Sequence, residues 1–306
     1  MKIGIDLGGS HIGIGLIDGS NILDIEEKVF NRQDRANITE TIINEINRMI
    51  NLLCNRNSIN IKDIELIGIA SPGTVSNGKI VKAGNLGIYD FDLIGNLKKY
   101  FSNKIILRND AKCAAMAEKF YGAMKEYDDC VFLTLGTGIG GAVFINGKLL
   151  EPKRYSGFEI GHMVLNKGGR LCTCGKQGCF ETYASIKALK MKVTETLDID
   201  SDISGQHLRE VILKQEVFEK NNEAVKQDLD VFLEYLKTGI CNLIDIFEPQ
   251  VVVLGGSFAY YEGNPIYDML IEKINAPKST FNEGDLPKIT TAKFQNNAGI
   301  IGATLV

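Results

Sequence analysis

The start of the chain consists of short apolar runs that are separated by glycines. Residues 2–7 form such a run, with Asp6 near its end, and predict a buried strand. Residues 12–17 place isoleucine or leucine at every second position and predict another strand, which ends at the hairpin turn signal Asp18-Gly19. With a further strand over 21–29, the chain is predicted to begin with three consecutive strands.

A long amphipathic helix is the next predicted element. Apolar residues recur at helical spacing from Ile38 to Leu53, and Asn37 with Glu40 matches a capping box at the helix start. Other apolar runs, bounded by turn residues, predict the rest of the chain. Predicted strands cover 65–70, 104–108, 130–135, 142–145, 250–254 and 289–294, and predicted helices cover 111–121, 180–195, 223–247 and 298–305.

The plan of the first residues returns near residue 131. A strand over 130–135 leads into the glycine turn 136–141, another strand follows, and Asn146-Gly147 gives a hairpin turn. Strands that alternate with helices are typical of α/β proteins. The repeated plan therefore predicts two related α/β lobes.

Composition and charge narrow the class of protein. The 306 residues are 44% hydrophobic and 24% charged, which is enough for sizeable cores without disulfides. The net charge of −4 argues against a nucleic-acid partner, and no apolar stretch has the length of a secretory signal or a membrane span. Seven cysteines, three of them clustered, fit a reducing compartment. We therefore predict a cytoplasmic protein without membrane or nucleic-acid contacts.

Three glycine turns that follow predicted strands are candidate phosphate-binding turns, because glycine lets backbone N–H groups approach a ligand closely. The carboxylate before the first turn could hold Mg²⁺, directly or through water. An ordinary β-hairpin is the alternative for this first turn. The predicted nucleotide-binding residues are Asp6, Gly8, Gly9 and Ser10, then Gly136, Thr137, Gly138 and Gly140, and finally Gly255 and Gly256.

The second turn also matches G-x-G-x-x-G, the fingerprint of dinucleotide-binding domains. That fingerprint requires a helix directly after the glycines. Here residues 142–145 have the pattern of a strand and end in a hairpin turn. The chain also lacks a G-x-x-x-x-G-K-[ST] sequence, so the pattern excludes dinucleotide-binding and P-loop domains.

A compact Cys₃His set lies in the middle of the chain. His162, Cys172, Cys174 and Cys179 follow one another with the spacing H-x9-C-x-C-x4-C. Zinc binds four such ligands tetrahedrally in closed structural sites. The spacing predicts a structural zinc, and a redox Cys-x-Cys pair or unrelated surface thiols are the alternatives.

Motifs around these cysteines resemble those of a known family. Glu159-Ile160-Gly161-His162 and the run from Cys172 to Glu181 are similar to the E-x-G-H and C-x-C-G-x-x-G-C-x-E motifs of the ROK family (repressors, open reading frames, kinases). The three glycine turns resemble, in the same order, the two phosphate motifs and the adenosine motif of that family. The resemblance to a glucokinase-like ROK sugar kinase runs from residue 3 to the end of the chain.

The resemblance implies an α/β, two-lobed, actin-like (ribonuclease-H-like) ATPase fold with an interlobe cleft. It implies a small lobe over 1–117, completed by a C-terminal helix near 295–306, and a large lobe over 118–294 that carries the zinc loop. The implied activity is phosphorylation of a hexose by ATP, usually at O6 and most often of glucose, with Mg²⁺ and a structural Zn²⁺ bound. Relatives act on N-acetylmannosamine, N-acetylglucosamine, fructose or allose, and often form homodimers.

The resemblance also assigns roles to individual residues. Asp110 would be the general base that accepts the proton of the sugar hydroxyl. The pattern alone leaves two alternatives, that Asp110 caps the helix after it and that Glu159 and Glu181 are solvated surface carboxylates. The implied sugar-binding residues are Gly73, Asn85, Asn109, Asp110, Glu159, His162 and Glu181.

Two positions depart from the family pattern, and both leave the exact sugar open. Lys112 stands where asparagine is common, and Tyr89 stands where tryptophan is common. A repressor would carry a DNA-binding domain before the sugar domain, whereas this sequence starts on the first phosphate strand. A non-catalytic sugar-binding protein would be expected to lack Asp6, Asp110 or the glycines, and all are present. A kinase is therefore the expected function.

Overall fold

The computed structural model of the protein describes residues 1–151, 158–214, 222–275 and 286–305, without the side chains of Arg32 and Lys214. The chain divides into two compact units. The first unit contains Met1–Lys125 and the C-terminal segment that begins at Asn296. The second contains Glu126–Leu150 and the described part of Phe158–Gln295. The lobe boundaries that the resemblance implies stay a prediction.

The first unit is built on a five-stranded sheet against which helices pack. Its elements are β1 (Lys2–Leu7), β2 (His11–Asp18), β3 (Asn21–Val29), α1 (Arg32–Ala36), α2 (Ile38–Arg56), β4 (Leu66–Ser71), β5 (Thr74–Ser76), β6 (Lys79–Ala83), β7 (Ile88–Phe91), α3 (Leu93–Leu97), β8 (Lys104–Asn109), α4 (Asp110–Tyr121) and the C-terminal α10 (Ala298–Ala303).

The strand order of this sheet is β3-β2-β1-β4-β8. The first three strands form the predicted antiparallel run, whereas β1, β4 and β8 are parallel to one another. Asp6 lies opposite Ala70, and Ser71 lies opposite Asn109. The carboxyl ends of the three parallel strands therefore meet at the same edge of the sheet.

The helix α2 buries its apolar face as its spacing predicts, but the predicted capping box is wrong. The side chain of Asn37 makes no capping hydrogen bond, because Asn37 ends α1 and begins α2 at once. The capping box lies one helix earlier, where Asn31 accepts from the backbone of Asp34 and the Asp34 carboxylate accepts from the backbone of Asn31. The residues of α2 in the core are Ile38, Ile42, Ile43, Ile46, Met49, Ile50, Leu53 and Cys54.

A small antiparallel sheet in the first unit was not predicted. It has the order β5-β6-β7, and its strands contain only three to five residues. Strands this short give little alternation to read, so the sequence pattern could not indicate them. The turn between β6 and β7 carries Asn85, one of the predicted sugar-binding residues.

The second unit repeats the arrangement of the first, with a five-stranded sheet of order β11-β10-β9-β12-β13. The pair β9 and β10 is antiparallel, and β9, β12 and β13 are parallel. The prediction of two related lobes is thus confirmed at the level of sheet topology. The elements are β9 (Cys130–Leu135), β10 (Ile139–Ile145), β11 (Lys148–Leu149), α5 (Glu181–Ala184), α6 (Ile186–Leu197), α7 (Gly205–Lys214), α8 (Glu223–Phe247), β12 (Val251–Gly256), α9 (Pro265–Asn275) and β13 (Lys288–Thr291).

The predicted helix over 180–195 is divided in two. Ser185 has extended backbone angles and its hydroxyl accepts a hydrogen bond of 3.1 Å from the backbone N–H of Ala188, so it ends α5 and caps α6. The long helix α8 packs beside both through fully buried residues that include Leu229, Leu233 and Leu236. None of the helices in the described residues combines the length and the apolar composition that crossing a bilayer requires.

Candidate functional site

Predicted sugar-binding and catalytic residues of the first unit meet where the parallel strands end. Asp6 lies near the end of β1, and Asp110 directly follows β8. The side-chain Nδ2 of Asn109 donates a hydrogen bond of 3.1 Å to the carbonyl oxygen of Gly73. This bond fixes the end of β8 to the loop after β4.

Asp110 is the first residue of α4, and Asn109 is the residue that caps this helix. The Oδ1 atom of Asn109 accepts from the backbone N–H of Lys112 at 3.3 Å. The Oδ1 atom of Asp110 accepts from the backbone N–H of Ala111 at 2.8 Å. The alternative that Asp110 is the N-cap is therefore wrong. A carboxylate at this position is favoured by the positive end of the helix dipole.

Asp6 lies in a poorly solvated environment. Burial raises the pKa of its carboxyl group to about 6. A Cβ atom built on Gly299 of α10 would lie 2.5 Å from Asp6 Oδ2, so this helix packs directly against the carboxylate. A nearby cation would favour the ionised form of such a group. The residue therefore fits the predicted role as a Mg²⁺ ligand.

The first glycine turn is contacted from two other parts of the first unit. The backbone N–H of Gly8 donates to the carbonyl of His11 at 2.9 Å and closes the turn. A Cβ atom on Gly9 would lie 2.8 Å from Asn85 Nδ2, which places this predicted sugar-binding residue against the turn. Arg35 Nη2 donates to the carbonyl of Gly9 at 2.9 Å. Arg35 could not be predicted as part of the site, because no local pattern connects it with Gly9, which lies 26 positions earlier.

Both predicted glycine turns of the second unit are shorter in the structure, because β10 begins at Ile139 and β12 extends through Gly256. Gly140 therefore lies in β10, and Gly255 and Gly256 are the last residues of β12. Gly136 N–H donates to the carbonyl of Gly138 at 3.0 Å, and β10 follows as an antiparallel strand. No helix follows these glycines, so the exclusion of a dinucleotide-binding domain is confirmed. Gly256 lies opposite Leu135 in the parallel pair of β12 and β9. Glycine is required at this position for two reasons. The φ of Gly256 is +65°, and a Cβ atom there would lie 2.7 Å from the Leu135 carbonyl oxygen.

The predicted Cys₃His set is assembled in three dimensions. The ligand atoms of all four residues lie within 4.8 Å of one another. Cys174 Sγ is 3.6 Å from Cys179 Sγ, and Cys172 Sγ is 3.5 Å from His162 Nδ1. Tetrahedral zinc, with bonds of about 2.3 Å to sulfur and about 2.0 Å to nitrogen, requires separations of about 3.8 Å and about 3.6 Å.

The chemistry of the four residues also fits a metal. Burial raises the pKa of the Cys172 thiol to about 12, so a thiolate there needs a positive charge beside it. Lys176 Nζ donates to the backbone carbonyl of His162 at 2.7 Å and ties the tip of the cysteine loop to the histidine. Three sulfur ligands and one nitrogen ligand in a closed set are typical of structural zinc.

Glu181 lies between the cysteine loop and the second glycine turn. Its Oε1 atom is 3.1 Å from Cys172 Sγ and 3.5 Å from His162 Nδ1. Its Oε2 atom accepts from the backbone N–H of Ile139 at 3.5 Å. Its side chain is only 18% exposed, which argues against a solvated surface carboxylate. Glu159 directly precedes the short 3₁₀ helix Ile160–His162 and is exposed, so the alternative of a surface carboxylate is excluded for Glu181 but not for Glu159.

Known proteins of one family are similar to this chain over nearly its whole length. The sequence profile of the ROK family matches residues 2–306. The glucokinase of Halalkalibacterium halodurans is 31% identical, over 98% of this chain and 92% of that protein. An N-acetylmannosamine kinase of Haemophilus influenzae is 28% identical, over 98% of this chain and 93% of that protein. The solved structure of a ROK hexokinase from Thermus thermophilus has a TM-score of 0.78 at 28% identity, over 99% of this chain and 96% of that one.

The comparisons decide both fold and family. The similarity to the ROK hexokinase, together with the sheet order that recurs in both units, confirms the predicted two-lobed, actin-like α/β fold. The family profile covers nearly every residue and includes the cysteine loop and the three glycine turns. The chain therefore belongs to the ROK family.

Proposed function

We propose that this ATP-dependent sugar kinase transfers the γ-phosphoryl group of ATP to O6 of a hexose, with glucose as the first candidate. The observation that carries the proposal is the position of Asp110 at the carboxyl end of β8, directly after Asn109, which is bonded to Gly73. A glucokinase and an N-acetylmannosamine kinase among the relatives support a hexose or an N-acetylhexosamine as the acceptor.

Asp110 acts as the general base in this proposal. Its carboxylate accepts the proton of O6 while that oxygen bonds to the γ-phosphorus and the bond from phosphorus to ADP breaks. Phosphoryl transfer depends on orientation and on charge neutralisation more than on covalent catalysis. The bond from Asn109 to Gly73 supports the proposal because it holds the strand end that carries the base.

Backbone N–H groups of the three glycine turns hold the nucleotide in this proposal. Gly8 and Gly136 use their own N–H groups to close the first two turns, and Gly255 and Gly256 end β12. The phosphate oxygens would therefore be bound by the other N–H groups of these segments, which glycine allows a ligand to approach closely. Asp6 would hold Mg²⁺, which neutralises phosphate charge when it is bound. The raised pKa of Asp6 supports this role, because a cation would offset the poor solvation of the ionised carboxylate.

The sugar hydroxyls would be bound by Asn85, Asn109, Glu159, His162 and Glu181. His162 points its Nδ1 atom at the cysteines, which leaves Nε2 for a sugar hydroxyl. When it is bound, zinc fixes the relative positions of its four ligands. The metal thereby supports one wall of the sugar site without taking part in the transfer.

An N-acetylhexosamine is the second candidate substrate, with fructose and allose as further alternatives. The N-acetylmannosamine kinase of Haemophilus influenzae is nearly as similar to this chain as the glucokinase. A site that bonds a hydroxyl or an acetamido group rejects analogues that lack it, because its own polar groups are then left unpaired. A single preferred substrate is therefore expected.

The test is a coupled ADP-release assay with MgATP and glucose, mannose, fructose, allose, N-acetylglucosamine and N-acetylmannosamine. One sugar should stimulate turnover far above the others, and Asp110→Asn should abolish most of that stimulation. Asp92→Asn is a matched control, because Asp92 caps α3 and asparagine is an equally good cap. If no sugar stimulates ADP release, or if both variants lose the same activity, the proposal is wrong.

A further inference from the structure

Two tyrosines stack behind the cysteine loop, outside the Cys₃His set. Tyr183 of α5 and Tyr235 of α8 have ring centroids 4.2 Å apart and ring planes inclined by 22°. Tyr183 is almost fully buried, with 8% of its surface exposed. A stacked aromatic pair contributes stability beyond the area that it buries, so this pair stabilises the packing of α5 against α8.

The segment before Cys172 is bonded to this stack. The hydroxyl of Tyr183 accepts a hydrogen bond of 2.7 Å from the backbone N–H of Arg170. Asn166 Nδ2 donates to both hydroxyls, at 3.3 Å to Tyr183 and 3.2 Å to Tyr235. The guanidinium carbon of Arg170 lies 4.7 Å from the centroid of the Tyr183 ring, a cation–π contact. We refer to Asn166, Arg170, Tyr183 and Tyr235 as the aromatic anchor.

The aromatic anchor reaches the last cysteine through backbone contacts. Gly178 N–H donates to the carbonyl of Arg170 at 2.8 Å, and its own carbonyl accepts from Leu165 N–H at 2.9 Å. Gly178 has a φ of +84°, and a Cβ atom there would lie 1.7 Å from the carbonyl oxygen of Asn166. The segment 165–170 therefore holds Gly178, the residue that directly precedes Cys179, by backbone hydrogen bonds on both sides.

None of these contacts uses a ligand atom of the Cys₃His set. At the tip of the loop, Cys174 is exposed. The backbone there is held by two bonds within the loop, from the Gly175 N–H to the Cys172 carbonyl and from the Cys172 N–H to the Lys176 carbonyl. The loop thus has a base fixed by the aromatic anchor and a tip that is held by bonds within the loop and by the Lys176 side chain, which donates to the His162 carbonyl.

We propose that the aromatic anchor holds the base of the cysteine loop independently of the metal, and that Tyr183 is a positioning residue for the ligand set and for Glu181, two residues before it. This inference rests on the proposed metal site. A preorganised base leaves less of the loop to be ordered when the metal binds, so it slows metal release. Loss of the Tyr183 hydroxyl leaves the Arg170 N–H without its partner, and we expect metal release to become about tenfold faster.

Two measurements test the inference. The first is amide hydrogen exchange of the metal-free wild-type protein, in which the N–H groups of Arg170 and Gly178 should stay protected. The N–H of Gly175 should exchange faster, because its bond of 2.9 Å to the Cys172 carbonyl lies within the tip and opens with it. In Tyr183→Phe the Arg170 amide should lose its protection. Equal exchange of these three amides in the metal-free wild type would overturn the proposal.

The second measurement is the rate of zinc transfer to an excess of a chromogenic chelator. Tyr183→Phe should release zinc about tenfold faster than the wild type, and Tyr235→Phe, which loses only one hydrogen bond, should show a smaller increase. Tyr267→Phe is the matched control, because Tyr267 donates its hydroxyl to the Ile289 carbonyl at 3.0 Å elsewhere in the same unit. Equal release rates for Tyr183→Phe and Tyr267→Phe would overturn the positioning role.

The two measurements separate this inference from the proposed metal site. If the purified protein contains no zinc and takes up none, the proposed metal site is wrong. The exchange of the Arg170 and Gly178 amides then still decides whether the aromatic anchor holds the loop, because that experiment uses protein without metal.

Discussion

The two five-stranded sheets have the same strand order but carry different chemistry at corresponding strand ends. In the first sheet, β1 presents Asp6 and β8 leads into Asp110. In the second sheet, the strand that corresponds to β1 is β9, and it has Thr134 where β1 has Asp6. At the strand that corresponds to β8, the second sheet continues with Ala292. The carboxylates are thus confined to one of two otherwise similar sheets.

This difference shows what topology does and does not determine. Parallel strands place their carboxyl ends, and the turns that follow, at one edge of each sheet. The residues at that edge then decide the chemistry. The second sheet carries the glycine turn that begins at Gly136, and backbone N–H groups of such a turn suit phosphate. Proton transfer and cation binding require the carboxylates of the first sheet.

The largest effect is expected at the first sheet, from Asp110→Asn. Asparagine keeps the shape of the side chain and can still accept from the Ala111 N–H, but it cannot take the proton of the sugar hydroxyl. General bases contribute about a hundredfold to ten-thousandfold, so we expect kcat to fall about a thousandfold. The fall is measured in the ADP-release assay with the best sugar. A kcat within tenfold of the wild type would show that the first sheet does not supply the base.

The second sheet is tested by Gly256→Ala. The φ of +65° with ψ of −152° is open almost only to glycine, and a Cβ would lie 2.7 Å from the Leu135 carbonyl. We expect a loss of about 2–3 kcal/mol in the free energy of unfolding and a higher KM for ATP. In the control Gly136→Ala the new Cβ has no atom within 4 Å, and the loss should stay below about 1 kcal/mol. Equal losses in urea unfolding would contradict the prediction.

An effect of intermediate size is expected from the charge of Asp6 on the free energy of unfolding. The second sheet has no counterpart, because Thr134 stands at the corresponding position. Its pKa is about 6 in the folded protein and 3.8 ordinarily, so between these values the folded state binds more protons than the unfolded state. The stability of the folded state therefore decreases as pH rises through this window. Asp6→Asn stays neutral and should be about 2 kcal/mol more stable than the wild type at pH 7.5, with no advantage at pH 4.

Urea unfolding without Mg²⁺ or nucleotide measures this difference at both pH values. An advantage of Asp6→Asn that is the same at pH 4 and pH 7.5 would show that ionisation is not its cause. Asp6→Asn should also lose kinase activity, because the amide carries no charge and would no longer serve as a ligand of the proposed Mg²⁺.

The sequence predicted those parts of the site in which the participating residues are close along the chain. The strand–glycine turn–strand units combine periodicity with a local turn signal, and the Cys₃His set lies within 18 residues, from His162 to Cys179. Each of these features could therefore be recognised without knowing the fold.

Features that depend on distant residues could not be predicted in this way. Arg35 reaches Gly9, and Asn166 reaches Tyr235 across 69 positions, through contacts that exist only once the unit has folded. The capping box failed for another reason. Asn37 has the right residue type and spacing, but its backbone also ends α1, so its side chain cannot take the capping position.

The smallest effect is expected from Asn109→Asp, which separates two roles of one side chain in the first sheet. The Oδ1 atom caps α4, and the Nδ2 atom bonds the Gly73 carbonyl. Aspartate is an equally good cap but cannot donate, so we expect stability to change by less than about 0.5 kcal/mol while KM for the sugar rises about fivefold. Asn109→Ala should lose both roles and about 1 kcal/mol of stability. If Asn109→Asp is destabilised as much as Asn109→Ala while its KM for the sugar stays at the wild-type value, then Asn109 serves the helix α4 and not the sugar site.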